Sequence, residues 1–420
     1  MNSKEYLKEV VAVVCALFLS IMVYAQEKVD VATTLDPRTF QADRLFTYMQ
    51  QNQTDRLYAM FATEVRSQIT EQTFDGVFQQ TEAMAGAFKS REAWEERTIM
   101  GTPVYASLIH FEKMDLGLII AFNEKLQVLG LQFVPATMLQ TEPAQKLSLP
   151  EGAVETIDTL RVSTQVQLPL VLTLPAGATS ATPVVVMVHG SGPLDRDETV
   201  AVNKPFRDLA YQLAAQGIAT LRYDKRTFVY RDQRVENMDD ETVTDALCAL
   251  TYAHQRNQRV LLLGHSLGGM MAPIIASRTD VPLQGIIMMA APARNLEQVV
   301  RQQLDYLRPA NAPATYAEDA LELLRTQSPH YLQPYGQVEA AQLLPVRMLF
   351  LQGERDYQVP MIDFRLWRQI LGNRPAVTFH SYPKLNHLFL EGEGDSTPLE
   401  YSIEGHVPAY VVENIATFCR

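Results

Sequence analysis

The sequence predicts an α/β protein whose mostly parallel sheet carries helices on both faces, preceded by a small α+β domain. Three observations carry this reading. Beyond Pro183, short apolar runs alternate with helical stretches, the pattern of strands buried on both sides. Upstream, residues 40–85 show helix-spaced apolar positions while residues 92–134 read as successive strands, so helices and strands are segregated there. Between the two regimes, residues 136–152 contain Pro143, Pro150 and Gly152 and read as a linker.

Composition sets the outer bounds. A chain of 420 residues has room for two domains of about 100–200 residues each. With 47% hydrophobic and 20% charged residues, it buries a full core and is not a disordered chain. A formal net charge of -12 repels nucleic acid and anionic membrane surfaces, so neither is expected as a partner. Of the cysteines, only Cys248 and Cys419 lie beyond the N-terminal segment, too few for a disulfide scaffold. No Cys/His cluster has metal-ligand spacing, and neither metal nor cofactor is expected.

The elements follow in order. Residues 1–25 read as a signal peptide: Lys4 and Lys8 precede the apolar run Val10–Tyr24, and Val23-Tyr24-Ala25 leads into polar Gln26. The run is shorter than the roughly 20 residues of a membrane span. The expected destination is the periplasm or the medium, with no membrane attachment after cleavage. In the α+β domain, residues 26–140, Leu45, Tyr48 and Met49 and then Leu57, Met60 and Phe61 keep helical spacing, and strands are expected at Val104–Ile109, Leu116–Phe122 and Leu126–Val134. A linker over 141–155 leads to the larger domain, 156–420. There the expected order is a hairpin over Leu160–Leu174, strand Val184–His189, helix Phe206–Gln216, strand Ile218–Tyr223, helix Val243–Gln255 and strand Val260–Gly264. A helix from Leu267, strands Ile286–Ala290, Arg347–Gln352 and Val377–Tyr382, and a helix over Val407–Phe418 complete it.

The chemistry concentrates at Gly264-His265-Ser266-Leu267-Gly268, a G-x-S-x-G run between a buried strand and a helical stretch. A serine hydroxyl is a poor nucleophile unless a base takes its proton and its oxygen stands clear of neighbours. A sharp strand-to-helix turn projects it outward, and the crowded backbone there leaves no room for β-carbons at Gly264 and Gly268. Strand Val184–Val188 ends in His189-Gly190-Ser191-Gly192, a glycine-rich turn suited to an oxyanion hole built from the backbone N–H groups of Leu267 and Ser191.

The chain order serine, acid, histidine selects the partners. His387 lies in the loop after the last strand, where an imidazole can reach Ser266; His406 is the runner-up and His330 a third choice. Asp356 follows strand Arg347–Gln352 and the turn at Gly353, with Glu354 as the alternative. Asp356 would accept the imidazole N–H, and His387 would deprotonate Ser266 for acyl transfer.

These residues, with Asp195-Arg-Asp197, Asn203-Lys-Pro-Phe206, Arg222-Tyr-Asp-Lys-Arg226, Gln352-Gly-Glu-Arg-Asp356 and Leu385-Asn-His387, resemble the secreted bacterial α/β-hydrolases known as esterases, grouped with serine aminopeptidase-like and dienelactone hydrolase-like proteins. The resemblance covers about residues 155–420. It implies the α/β-hydrolase fold and hydrolysis of small-molecule carboxylic esters with short acyl groups, without identifying the ester; acylated sugars and aromatic acyl esters are further candidates. Family members often carry an N-terminal cone-shaped domain resembling nuclear transport factor 2, to which residues 40–135 are similar in element order. Residues 293–344 read as a helical lid inserted between two strands, with Tyr306, Tyr331 and Tyr335 available to touch substrate. The charges Arg222, Asp224, Lys225 and Arg226 have two readings, as lining of the pocket or, preferred, as a structural ion network of the weak surface kind. Competing functions are a peptidase or amidase with the same triad, a thioesterase or lactonase, and a non-catalytic binding protein. No feature of the sequence sets an oligomeric state.

Overall fold

In the computed structural model, residues 37–99, 102–140, 147–231, 235–308 and 315–420 are described, and the segment read as a signal peptide lies outside them. The described residues form two compact units, divided between residues 140 and 147.

The first unit begins with helix α1 (Pro37–Gln50) and, after short helical turns, α2 (Val77–Ala85). Five strands follow: β1 (Phe88–Arg91), β2 (Glu95–Ile99), β3 (Thr102–Phe111), β4 (Asp115–Phe122) and β5 (Val128–Pro135). They pair antiparallel in the order β1-β3-β4-β5, with β2 also on β3. Leu45 of α1, Phe78 of α2 and Ile109, Leu118 and Ile120 of the sheet close one core. Strands β1 and β2 have no counterpart in the sequence reading. Phe88-Lys-Ser-Arg91 and Glu95-Glu-Arg97 are mostly polar, so they carry no apolar alternation to detect.

The second unit holds an eight-stranded sheet of order β13-β12-β11-β10-β8-β9-β7-β6. Its strands are β6 (Val154–Arg161), β7 (Gln167–Leu174), β8 (Val184–Val188), β9 (Ala219–Tyr223), β10 (Val260–His265), β11 (Leu283–Met289), β12 (Met348–Gly353) and β13 (Val377–Tyr382). From β9 to β13 all pairings are parallel, while β6 and β7 pair antiparallel at one end. Strand β6 starts at Val154, inside the stretch read as linker.

Every residue of β8, β10 and β12 is buried because helices cover both faces. The period-two alternation of a strand sorts their side chains. Val184, Val186, Val188, Leu262 and Phe350 face one core with helices α4 (Thr244–His254), α5 (Leu267–Arg278) and α9 (Met361–Leu371). Val185, Met187, Leu261, Leu263 and Leu351 face the other, with α3 (Pro205–Ala215) and α10 (Ala409–Cys419). Helix α9 was absent from the sequence reading although Phe364, Trp367 and Leu371 sit at helical spacing and are buried.

The insertion contains α6 (Leu296–Tyr306), α7 (Tyr316–Gln327), a 3-10 turn over Pro329–Leu332 and α8 (Gln337–Leu343). Buried Asp363 of α9 pins its start, accepting the N–H groups of Ala293 and Arg294 at 3.0 and 2.9 Å and pairing with the Arg294 guanidinium at 2.7 Å. Gln337 Nε2 donates to the Ala293 carbonyl at 3.0 Å, so both ends meet at the same place. Cys248 and Cys419 are free thiols. Among the described residues no helix is long and apolar enough to cross a membrane.

Candidate active site

Parallel pairing carries the ends of β8, β10 and β12 to one edge of the sheet, and the expected site residues leave from those ends. Strand β10 runs directly into Ser266, and α5 begins at the next residue. Ser266 stands at φ +52° and ψ −116°, a conformation costly for any residue with a side chain. Its N–H donates to the Met289 carbonyl at 2.9 Å, tying the turn to β11. The two glycines are required by contact. A β-carbon on Gly264 would lie 2.1 Å from the Gly268 oxygen, and one on Gly268 would lie 2.2 Å from the Val188 oxygen.

At the end of β12, Gly353 lets the acid loop and the histidine loop touch: a β-carbon there would sit 2.4 Å from the Leu385 oxygen. Asp356 Oδ2 and His387 Nδ1 are 2.7 Å apart, both side chains buried. The carboxylate also accepts from Gln352 Nε2 at 3.1 Å and from the N–H groups of Gln358 and Val359 at 2.8 Å each. Four donors hold one buried carboxylate as an acceptor, so the imidazole carries its proton on Nδ1 and leaves the Nε2 lone pair free. Asn386 shapes the histidine loop by accepting the N–H groups of Leu388 and Leu390 at 3.0 and 3.1 Å.

Ser266 is next to this pair through its chain neighbour. The His265 ring lies 4.8 Å from the His387 ring, and His265 Nε2 donates to the His387 carbonyl at 2.9 Å. Among the described contacts, no hydrogen bond joins the Ser266 hydroxyl to His387; in resting enzymes such bonds are often long and tighten with substrate.

The glycine-rich turn after β8 lies against the serine. A β-carbon on Gly190 would be 3.3 Å from Ser266 Cβ and 3.7 Å from its Oγ. The N–H of Gly190 donates to Glu198 Oε1 at 2.7 Å, and that of Gly192 to the Tyr331 hydroxyl at 3.4 Å. Among the described residues, no protein acceptor takes the N–H of Ser191 or of Leu267. Glu198 is buried at φ +55°, and its Oε2 lies 3.1 Å from His265 Nδ1. Burial alone would favour neutral His265, but Glu198 outweighs it and raises the imidazole above its ordinary value. Glu198 escapes the sequence reading because its partners, Gly190 and His265, come from other turns, and the roles of Gln352 and Asn386, though both stand in the quoted motifs, follow no spacing rule.

The remaining candidates are engaged elsewhere. His406 Nδ1 lies 3.0 Å from Asp208, and Glu354 is exposed and accepts from Ser381 at 2.7 Å. His330 Nε2 lies 3.1 Å from Glu241. His189 is buried between Phe206 and Tyr223, with ring separations of 5.2 and 5.3 Å. Of the insertion tyrosines, Tyr306 stacks on Tyr357 at 5.2 Å, Tyr331 donates to Glu241 at 2.5 Å, and Tyr335 donates to the His330 carbonyl.

The charges at the end of β9 and just beyond it form ion pairs: Arg222 with Asp197 and Glu155, Asp224 with Arg196, Lys225 with Glu241, and Arg226 with Asp245. They are not surface pairs, since Arg222 and Lys225 are each 2% exposed. Among the described residues, no group of His, Cys, Asp and Glu side chains could hold a metal ion.

A parallel sheet with helices on both faces and a serine at a strained strand-to-helix turn define the α/β-hydrolase class. The chain belongs to the alpha/beta hydrolase family, whose model matches residues 185–400. It is 34% identical over 377 residues to Esterase EstD of Thermotoga maritima, covering 85% of this chain and 89% of that protein. Residues 42–131 match a family described as a protein of unknown function, DUF3887. Solved structures similar to this chain include the Pyrococcus furiosus esterase PF2001, 14% identical with a TM-score of 0.44 over 59% of this chain and 91% of that one. Another is brefeldin A esterase, a bacterial homologue of human hormone sensitive lipase, 16% identical with a TM-score of 0.47 over 67% of this chain and 81% of that one.

Proposed function

We propose that this protein cleaves carboxylic esters through an acyl-enzyme on Ser266, with His387 as base and then acid and Asp356 as its partner. It is a carboxylic ester hydrolase. The observation that carries the mechanism is the buried 2.7 Å His387–Asp356 bond beside a serine held at positive φ. With its proton on Nδ1, His387 takes the serine proton at Nε2 as the hydroxyl attacks the ester carbonyl. The oxyanion is held by the N–H groups of Ser191 and Leu267, and elbow glycines 264 and 268 and loop glycines 190 and 192 make room for that geometry. His387 then protonates the departing alcohol, and water enters by the same base to release the acid.

The substrate is a short-chain ester or an acylated sugar or aromatic acyl ester, with the helices of 293–344 setting the accepted chain length. The N-terminal domain takes the nuclear transport factor 2-like form, and residues 1–25 direct export. N-terminal sequencing of secreted protein tests the last point: a mature chain starting at Gln26 supports it, and a retained Met1 rejects it.

The decisive assay is turnover of p-nitrophenyl acetate, butyrate and octanoate beside an aminoacyl p-nitroanilide. Ser266→Ala is expected to lower kcat by about 10⁴–10⁶-fold, and Asp356→Asn by about 10⁴-fold by trapping the wrong imidazole tautomer. Undiminished turnover in Ser266→Ala refutes the nucleophile. Preferential hydrolysis of the anilide makes the protein a peptidase instead.

A further inference from the structure

Gly190 is gripped at both of its backbone polar groups by buried charges. Its N–H donates to Glu198 at 2.7 Å, and its carbonyl accepts from Lys225 Nζ at 2.8 Å. That carbonyl belongs to the same peptide unit as the Ser191 N–H. In a trans peptide the two point in opposite directions, and no cis bond occurs among the described residues. Whatever fixes the carbonyl of Gly190 therefore fixes the direction of the Ser191 donor.

Lys225 is itself tightly held. Its ammonium lies 2.6 Å from Glu241, and both side chains are almost fully buried. Glu241 also receives His330 Nε2 at 3.1 Å and the Tyr331 hydroxyl at 2.5 Å, both from the inserted segment. Burial alone would raise the Glu241 carboxyl, yet Lys225, His330 and Tyr331 together bring it down to about 2. The carboxylate stays ionised and keeps its grip on the lysine across the neutral range.

We propose that Lys225 is the positioning residue of the oxyanion site: bound to the Gly190 carbonyl, its ammonium aims the Ser191 N–H toward the reacting carbonyl oxygen and polarises that peptide. The proposal rests on the reading of Ser191 as an oxyanion donor. A cation on a carbonyl draws electron density toward the oxygen and leaves the N–H of the same unit more positive. The gain is greatest when the substrate oxygen carries a full charge, so it appears in kcat rather than in KM. The inserted segment takes part, because its His330 and Tyr331 hold the carboxylate that holds the lysine.

The test removes the pair without stranding a buried charge, using the double variant Lys225→Met/Glu241→Gln in the full chain. Its kcat on p-nitrophenyl butyrate is expected to fall about 10–100-fold with KM within about threefold, less than the 10²–10³-fold loss of a whole donor. Affinity for an alkyl boronic acid, whose serine adduct is a tetrahedral anion, should fall by the same factor as kcat/KM. A folded double variant with kcat within twofold of the parent overturns the proposal, as does a kcat loss with no loss of boronate affinity. If that variant does not fold, Lys225→Gln/Glu241→Gln keeps neutral amides in both places, and undiminished kcat there also overturns it. Fluorophosphonate labelling separates the two readings. A parent not labelled at Ser266 defeats the serine mechanism, whereas a labelled parent beside an unaffected double variant defeats the role of Lys225 alone.

Discussion

His189 closes β8 with an imidazole that is 1% exposed, packed between two aromatic rings, with its Nε2 unpartnered in the described hydrogen bonds. Burial drives its protonation down to about 4. A histidine kept neutral in the fold but free to protonate when unfolded gives full stability above pH 6.5, and that stability shrinks as pH falls toward 4. The loss from this group amounts to about 3 kcal/mol. His265 acts in the opposite sense, because its raised pKa gives stability that is complete below pH 6.5 and lost as pH rises through the folded value. Denaturant unfolding of His189→Gln is expected to show a flatter acid limb between pH 6.5 and 4 than the parent; an unchanged slope refutes this assignment. At this scale, chain order and strand ends single out Ser266, His387 and Asp356 in the sequence, and the structure brings the side chains of His387 and Asp356 to 2.7 Å. Glu198 and Glu241 were not readable, since their importance arises from partners such as Gly190 and, 89 residues away, His330.

Strands β8, β10 and β12 were legible as uninterrupted apolar runs because burial on both faces removes the need for polar alternation. Edge strand β6 shows the converse: seven of its eight residues are exposed, and its start merged with the linker in the sequence. The insertion is amphipathic and its helices were expected, but its attachment to α9 through Asp363 was not, since α9 itself was unforeseen. That attachment yields a prediction for the element. Asp363→Ala leaves Arg294 and two N–H groups without their buried acceptor, a loss expected to cost about 3–5 kcal/mol. Limited proteolysis should then cut within residues 293–344 sooner than in the parent. Cleavage at the parental rate with parental stability would show that Gln337 alone secures the segment.

The division into two compact units implies two cooperative unfolding events, each with its own core. Leu118 and Leu262 are each 0% exposed, one in each unit. Replacing either by Ala is expected to cost about 2–5 kcal/mol in its own transition and little in the other. Calorimetry reads the two transitions, and loss of ester turnover on heating should track the one moved by Leu262→Ala. A single transition shifted alike by both variants would mean that the units melt together. Net charge sets an expectation against nucleic acid at this scale, but it carries no information on which ester is cleaved.

The two thiols have a practical consequence. Cys419 is buried and its thiol is pushed up to about 12, and the half-buried Cys248 is also raised, so neither offers a thiolate near neutrality. Among the described residues both cysteines are free, so no disulfide braces the part of the fold they belong to. Iodoacetamide should therefore leave Cys248 and Cys419 unmodified in the folded protein and label both once it is unfolded.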